Sequence, residues 1–118
     1  MISVGTKLKR QDELMSFFCP ACNESHSINV ATDGCGHQWS WNGSDSAPTF
    51  SPSILVTGMQ TINDASGNWA GEWVRDADGK GVPQLCHSFV VDGRTQYLDD
   101  CKHALAGQTV DLPDWTKQ

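Results

Sequence analysis

Residues 85–105 read LCHSFVVDGRTQYLDDCKHAL, and this stretch sets the fold class. Asp92-Gly93 is a two-residue turn signal, because both central residues of such a hairpin must accept positive φ. The flanking runs CHSFVV (Cys86 to Val91) and TQYL (Thr95 to Leu98) are rich in β-branched and aromatic residues and read as strands. Centring the turn on Asp92-Gly93 pairs Val91 with Arg94 and sets Cys86 opposite Asp99. Cys86 then shares a face with Ser88, Val90, Thr95 and Tyr97, and Cys101, two residues further on, projects from that face too. Two thiols converge at the open end of one hairpin.

Outward from this hairpin the pattern persists. Helical periodicity is almost absent, and short strand-like runs alternate with Gly, Asn, Asp and Pro. The candidates are LMSFF (Leu14 to Phe18), HSINV (His26 to Val30), QWSWN (Gln38 to Asn42), SILVTG (Ser53 to Gly58) and NWAGEWV (Asn68 to Val74). CKHALAGQ is expected to make one short helical turn ended by Gly107. Asn63 to Pro83, rich in Gly, Asp and Asn, reads as a long hairpin or mobile excursion. The fold expected is mainly β: small antiparallel hairpins in a single domain spanning residues 1–118, with no internal repeat.

The 118 residues are only 38% hydrophobic, so the core is small and a staple is expected. Five cysteines can supply one. The stretch FFCPACNESH, residues 17–26, holds Cys19 and Cys22 in Cys-x-x-Cys spacing, stiffened by Pro20. Such a pair is half of a zinc site, a redox dithiol or two buried thiols; a thioredoxin-like motif would need a βαβ context, which this chain lacks. Four thiolates meet the tetrahedral demand of structural zinc, so Cys19, Cys22, Cys86 and Cys101 form the expected metal set, zinc-ribbon-like in arrangement. His87 and His103 stand close enough in sequence to substitute for a thiolate, and His26, four residues past Cys22, is a further contender. Cys35 and His37, in a Gly-rich turn, read as bystanders.

A catalytic reading is weaker. Cys86 and His87 point to opposite faces of a strand and make a poor nucleophile–base pair. A hydrolytic zinc needs about three protein ligands, an open position and a carboxylate. His26, His87 and His103 with Asp99 or Asp100 are the candidates, and nothing in their spacing brings them together. No nucleophile elbow, HExxH pair or phosphate-cradling loop is present. In WSWNGSDSAPTFSPSILV, residues 39–56, Pro48 and Pro52 hold the chain extended. Trp39 and Trp41 share one face there, as core or as an aromatic groove.

The formal net charge of −6 disfavours a phosphate backbone as partner. The basic cluster Lys7, Lys9 and Arg10 reads as a solvated terminus. MISVGTKLKRQDEL lacks the apolar run of a secretory signal, and no segment nears the roughly 20 apolar residues that span a bilayer. The expected compartment is the bacterial cytoplasm, where thiols stay reduced.

CPAC with its following His26, WNGSDSAPTFSPSILV, and CHSFVVDGRTQYLDDCKHALAGQTVDLPDW together resemble DUF6527, a family of small phage and prophage proteins that often carry the label ammonia monooxygenase. The resemblance covers most of the chain outside the first ten or so residues and the Asn63 to Pro83 excursion. It implies a phage setting and a zinc site, with recurrent Cys and His positions at Cys19, Cys22, His26, Cys86, His87, Cys101 and His103. The oxygenase label conflicts with the chain: a thiolate-rich set suits zinc better than oxygenase copper.

The function expected on these grounds is a phage-encoded zinc-binding interaction module. It would act on a host or phage protein in host takeover, counter-defence or particle assembly, in the host cytoplasm or on the virion. The rival is a zinc hydrolase built on His26, His87 and His103.

Overall fold

A computed structural model describes residues 2–32, 36–63 and 69–114. Eleven strands are formed in them: β1 (Ile2–Val4), β2 (Leu8–Gln11), β3 (Leu14–Cys19), β4 (Glu24–Asn29), β5 (Ser40–Trp41), β6 (Phe50–Met59), β7 (Thr61–Asn63), β8 (Trp69–Trp73), β9 (Pro83–Val91), β10 (Arg94–Tyr97) and β11 (Thr109–Asp111). All pairings are antiparallel. One sheet is the meander β1-β2-β3-β4; a second has the order β11-β10-β9-β6-β5; β7 and β8 make a separate ribbon. The mainly β expectation describes this architecture.

The Asp92-Gly93 turn has φ of 50° and 76°, the doubly positive pair that matches strand twist, and Val91 lies opposite Arg94. Side chains then alternate: Cys86, Ser88 and Val90 of β9, with Thr95 and Tyr97 of β10, are buried, while Phe89 and Val91 are exposed. The inner faces of the two sheets meet in one apolar cluster. Leu8, Met15, Phe17, Ile28 and Val30 come from the first sheet and its exit, and Phe50, Ile54, Val90 and Leu112 from the second side. A second cluster gathers Cys19, Cys86, Tyr97 and Cys101, packed by Ala21, Cys22, Val56, Leu105, Ala106 and Val110.

Two expectations are revised. Among the described residues there is no helix: CKHALAGQ folds as turns, with Ala106 N–H donating to His103 O and Gln108 N–H to Leu105 O. The basic terminus is not merely solvated, since Lys7 binds the Leu112 carbonyl and lies 3.4 Å from Asp114, joining the turn before β2 to the segment after β11. Of the Asn63 to Pro83 stretch, residues 64–68 lie outside the described residues, as does Cys35. The remainder includes β8 and the Arg75–Gly81 bridge.

Two irregularities position side chains. Between β6 and β9 the register runs Phe50↔Val90 and then Ile54↔Ser88, so β6 carries two extra residues in the interval that contains Ser53. Such a bulge re-aims the side chains it holds. Past β10, Leu98 N–H donates to His87 O but Lys102 N–H donates to Leu85 O. Four residues therefore span what two would in a regular ladder. The segment between folds back over β9.

Candidate active site and thiol centre

The two irregularities meet at His87. Its Nε2 is 3.1 Å from Ser53 Oγ, on the bulge of β6, and its Nδ1 is 3.1 Å from Asp100 Oδ2, on the fold-back after β10. An ionised Asp100 fixes the proton on Nδ1, which leaves Nε2 as acceptor for the Ser53 hydroxyl. This is the hydroxyl–imidazole–carboxylate arrangement of nucleophilic acyl transfer, recognised by geometry and not by chain order. His87 is a quarter exposed and Asp100 about half exposed, so the site opens on the outer face of the second sheet. Trp39 Nε1 donates to the Ser53 carbonyl at 3.1 Å and ties the bulge to the core.

On the opposite face of β9 lies a thiol centre. Donor atoms of Cys19, Cys22, His26 and Cys86 all fall within 4.8 Å of one another and could hold a metal ion. Cys19 Sγ and Cys86 Sγ are 3.9 Å apart. Ligands on a tetrahedron with metal–sulfur bonds of 2.3 Å stand about 3.8 Å apart, so the spacing fits. The positive φ of Asn23, 52°, turns the chain from the Cys19–Cys22 knuckle into β4, which carries His26. His26 Nε2 is buried with no hydrogen-bond partner among the described residues.

Electrostatics within the centre are those of crowded thiols. Hydrogen bonds from Cys22 and then Cys86 hold Cys19 far below the ordinary thiol range. Hydrogen bonding to Cys19 first, then burial and the Cys19 charge, push Cys22 up to about 12 and raise Cys86 as well. One thiolate is thus tolerated and further ones are resisted, the imbalance that a bound cation removes. Tyr97 Oη lies 3.1 Å from Cys19 Sγ; burial first, then the Cys19 charge, raises its pKa and keeps its proton available to the sulfur.

A second grouping, Cys86, Cys101 and His103, overlaps the first. Its members have other engagements. Cys101 Sγ lies 3.2 Å from both the backbone N–H and the carbonyl oxygen of His87. His103 Nδ1 accepts from Leu105 N–H and the ring stacks edge-on to Tyr97, while its Nε2, like that of His26, is buried with no hydrogen-bond partner among the described residues. Asp99 is exposed and lies against Gly107. The histidines named from sequence therefore part company: His26 joins the thiols, His87 joins Ser53, and His103 packs on Tyr97. Ser53 and the role of Asp100 as partner to His87 were not read from sequence. No local motif marks Ser53, because its neighbours across the sheet, not along the chain, make it a candidate nucleophile.

The serine–histidine–aspartate geometry agrees with the comparison to protein families. The profile described as bacterial ubiquitination-like system serine protease (BubE) matches residues 2–98. The chain belongs to the BubE family. The match includes Ser53, His87 and all four residues of the thiol centre; Asp100 lies just past its end. No curated protein and no solved structure matches the chain. Membership in BubE replaces the DUF6527 resemblance and the phage or virion setting drawn from it. It also overturns both functional expectations, the viral interaction module and the zinc hydrolase, because the BubE description is of a bacterial system and of serine chemistry. Among the described residues no helix is long and apolar enough to cross a membrane.

Proposed function

We propose that this chain is a serine protease of a bacterial ubiquitination-like system, with Ser53 as nucleophile, His87 as general base and acid, and Asp100 as the group that orients His87. One observation carries this reading: the continuous hydrogen-bonded path from Ser53 Oγ through both ring nitrogens of His87 to Asp100. The BubE description supplies the biological frame.

In this reading Ser53 Oγ attacks the carbonyl carbon of an amide while its proton passes to His87 Nε2. Asp100 stabilises the resulting imidazolium. Collapse of the tetrahedral intermediate breaks the C–N bond, and Nε2 returns the proton to the departing amine. Water, deprotonated by the same nitrogen, then releases the acyl group from Ser53. Because Asp100 is half exposed, solvent screens its charge, and holding the imidazole in the right tautomer is its larger contribution.

Zinc is the cation that suits three thiolates and one imidazole. When bound it supplies a structural, zinc-ribbon-like clamp: four protein ligands close the coordination sphere, and the knuckle of the first sheet is joined to β9 of the second. The whole chain then behaves as one stapled β unit in the bacterial cytoplasm. Its partners are protein substrates, since a net charge of −6 repels nucleic acid.

The test is a fluorophosphonate probe, which phosphonylates activated serines. The purified protein should gain one adduct by intact mass, mapped to Ser53; Ser53→Ala should take none and His87→Ala should react far more slowly. Wild-type protein that stays unmodified, or equal labelling of Ser53→Ala, refutes the assignment.

A further inference from the structure

We infer that the outer edge of β6, from Leu55 to Met59, is a docking rail on which an extended polypeptide segment of the substrate adds as a further strand. The inference rests on the serine protease reading and specifies how its substrate is held. β5 covers β6 only opposite Phe50 and Ser51, and no other described strand lies along the rest of that edge.

The direction of the backbone groups follows from the ladder. His87 gives its carbonyl to Leu98, on the β10 side, so its partner across β6, Leu55, turns its N–H and C=O away from β9 and toward the open edge. Alternation turns Thr57 the same way. Gln60 agrees in phase, since its N–H donates inward to Val82 O. Leu55, Thr57 and Met59 are exposed.

Donors and acceptors repeating every second residue along a strand are matched by another extended backbone. The rail ends just short of Ser53, so a docked strand carries its carbonyls past the nucleophile. Leu55 (55% exposed) lies directly opposite His87, and Phe89 (37%) follows on the same outer face. They offer an apolar seat for a substrate side chain near the bond to be cut. The occupant is thus an extended, unfolded stretch of protein with an apolar residue at that point.

Proline tests the rail cleanly, because at Leu55 or Thr57 it deletes an outward N–H without costing a ladder bond. A mixed-sequence peptidyl phosphonate is compared with the same phosphonate bearing only an acyl cap. Wild type should react faster with the peptidyl form; Leu55→Pro and Thr57→Pro should each lose roughly five- to ten-fold of that rate, the worth of about one hydrogen bond. Thr57→Pro, farther from Ser53 and His87, should keep the capped rate, and both variants a wild-type circular dichroism spectrum. Equal rates in wild type, or folded proline variants that retain the peptidyl advantage, overturn the rail. So does a wild-type dimer that the proline variants dissolve, which assigns the edge to a second copy. Failure of the capped probe to modify Ser53 in wild type refutes the protease reading instead.

Discussion

The thiol of Cys101 sits 3.2 Å from both the backbone nitrogen and the carbonyl oxygen of His87, so the residue after Asp100 grips the residue that Asp100 orients. Cys101 is buried and makes both contacts with one sulfur. Cys101→Ala should cost about 1–2 kcal/mol in urea denaturation, the range for unpairing buried polar groups. It should also slow phosphonate labelling of Ser53, because His87 and Asp100 lose a common anchor. Cys101→Ser should recover part of the labelling rate, its hydroxyl being able to accept and donate at the same two points. Undiminished labelling in the alanine variant would confine Cys101 to packing.

Cys86 and His87 are consecutive, with one facing the thiol centre and the other facing Ser53. Loss of zinc should therefore act on both faces of β9. Chelation should lower the melting temperature by roughly 10 °C or more, since binding and folding free energies are coupled. Labelling of Ser53 should fall in parallel and return when zinc is restored. Native mass spectrometry should find the metal in wild type and in Cys101→Ser, but not in Cys19→Ser, Cys22→Ser or Cys86→Ser. A melting curve indifferent to chelator would remove the metal from the account.

Asp100→Asn keeps the shape and changes the proton. The amide offers N–H or a neutral oxygen to Nδ1, so the imidazole is no longer held with Nε2 free to accept. In buried triads such a change lowers kcat about 10⁴-fold. Because Asp100 is about half exposed, the expected loss here is smaller, about 10²- to 10³-fold in acylation rate. Thermal stability should be unchanged within about 0.5 kcal/mol, as for surface substitutions generally. A variant that labels at the wild-type rate would reduce the site to a Ser53–His87 pair.

The hairpin was legible because its information is local. Asp92-Gly93 fixes the turn, the turn fixes the register, and the register fixes which of Cys86 and His87 faces inward. β1 and β2 were not legible: in LKRQ (Leu8–Gln11) only Leu8 is buried, and the remainder is as polar as a loop. Ser53 was hidden for a different reason. Its meeting with His87 depends on two extra residues in β6 and on the fold-back that carries Asp100, neither of which a periodicity can announce. A regular ladder continued past Leu98 would have set Asp100 opposite Leu85, a diagonal step from His87, and not at hydrogen-bond distance from its Nδ1.

Trp39 ties these irregular parts together. It is partly buried against the main core, and its Nε1 donates to the Ser53 carbonyl at 3.1 Å, while the neighbouring Trp41 donates to Ser44 O. The aromatic pair therefore packs on the core and also braces the two loops beside it. Trp39→Phe keeps most of the apolar contact and removes the donor, leaving a backbone carbonyl on the bulge without its partner. The expected cost is about 1 kcal/mol in stability, the usual net worth of such a bond. The more telling result is kinetic: Ser53 labelling should slow several-fold with both capped and peptidyl phosphonates, because the nucleophile itself is less well held. A selective loss with the peptidyl probe alone would instead place Trp39 in the substrate rail. An unchanged rate with both would leave the bulge held by the ladder alone.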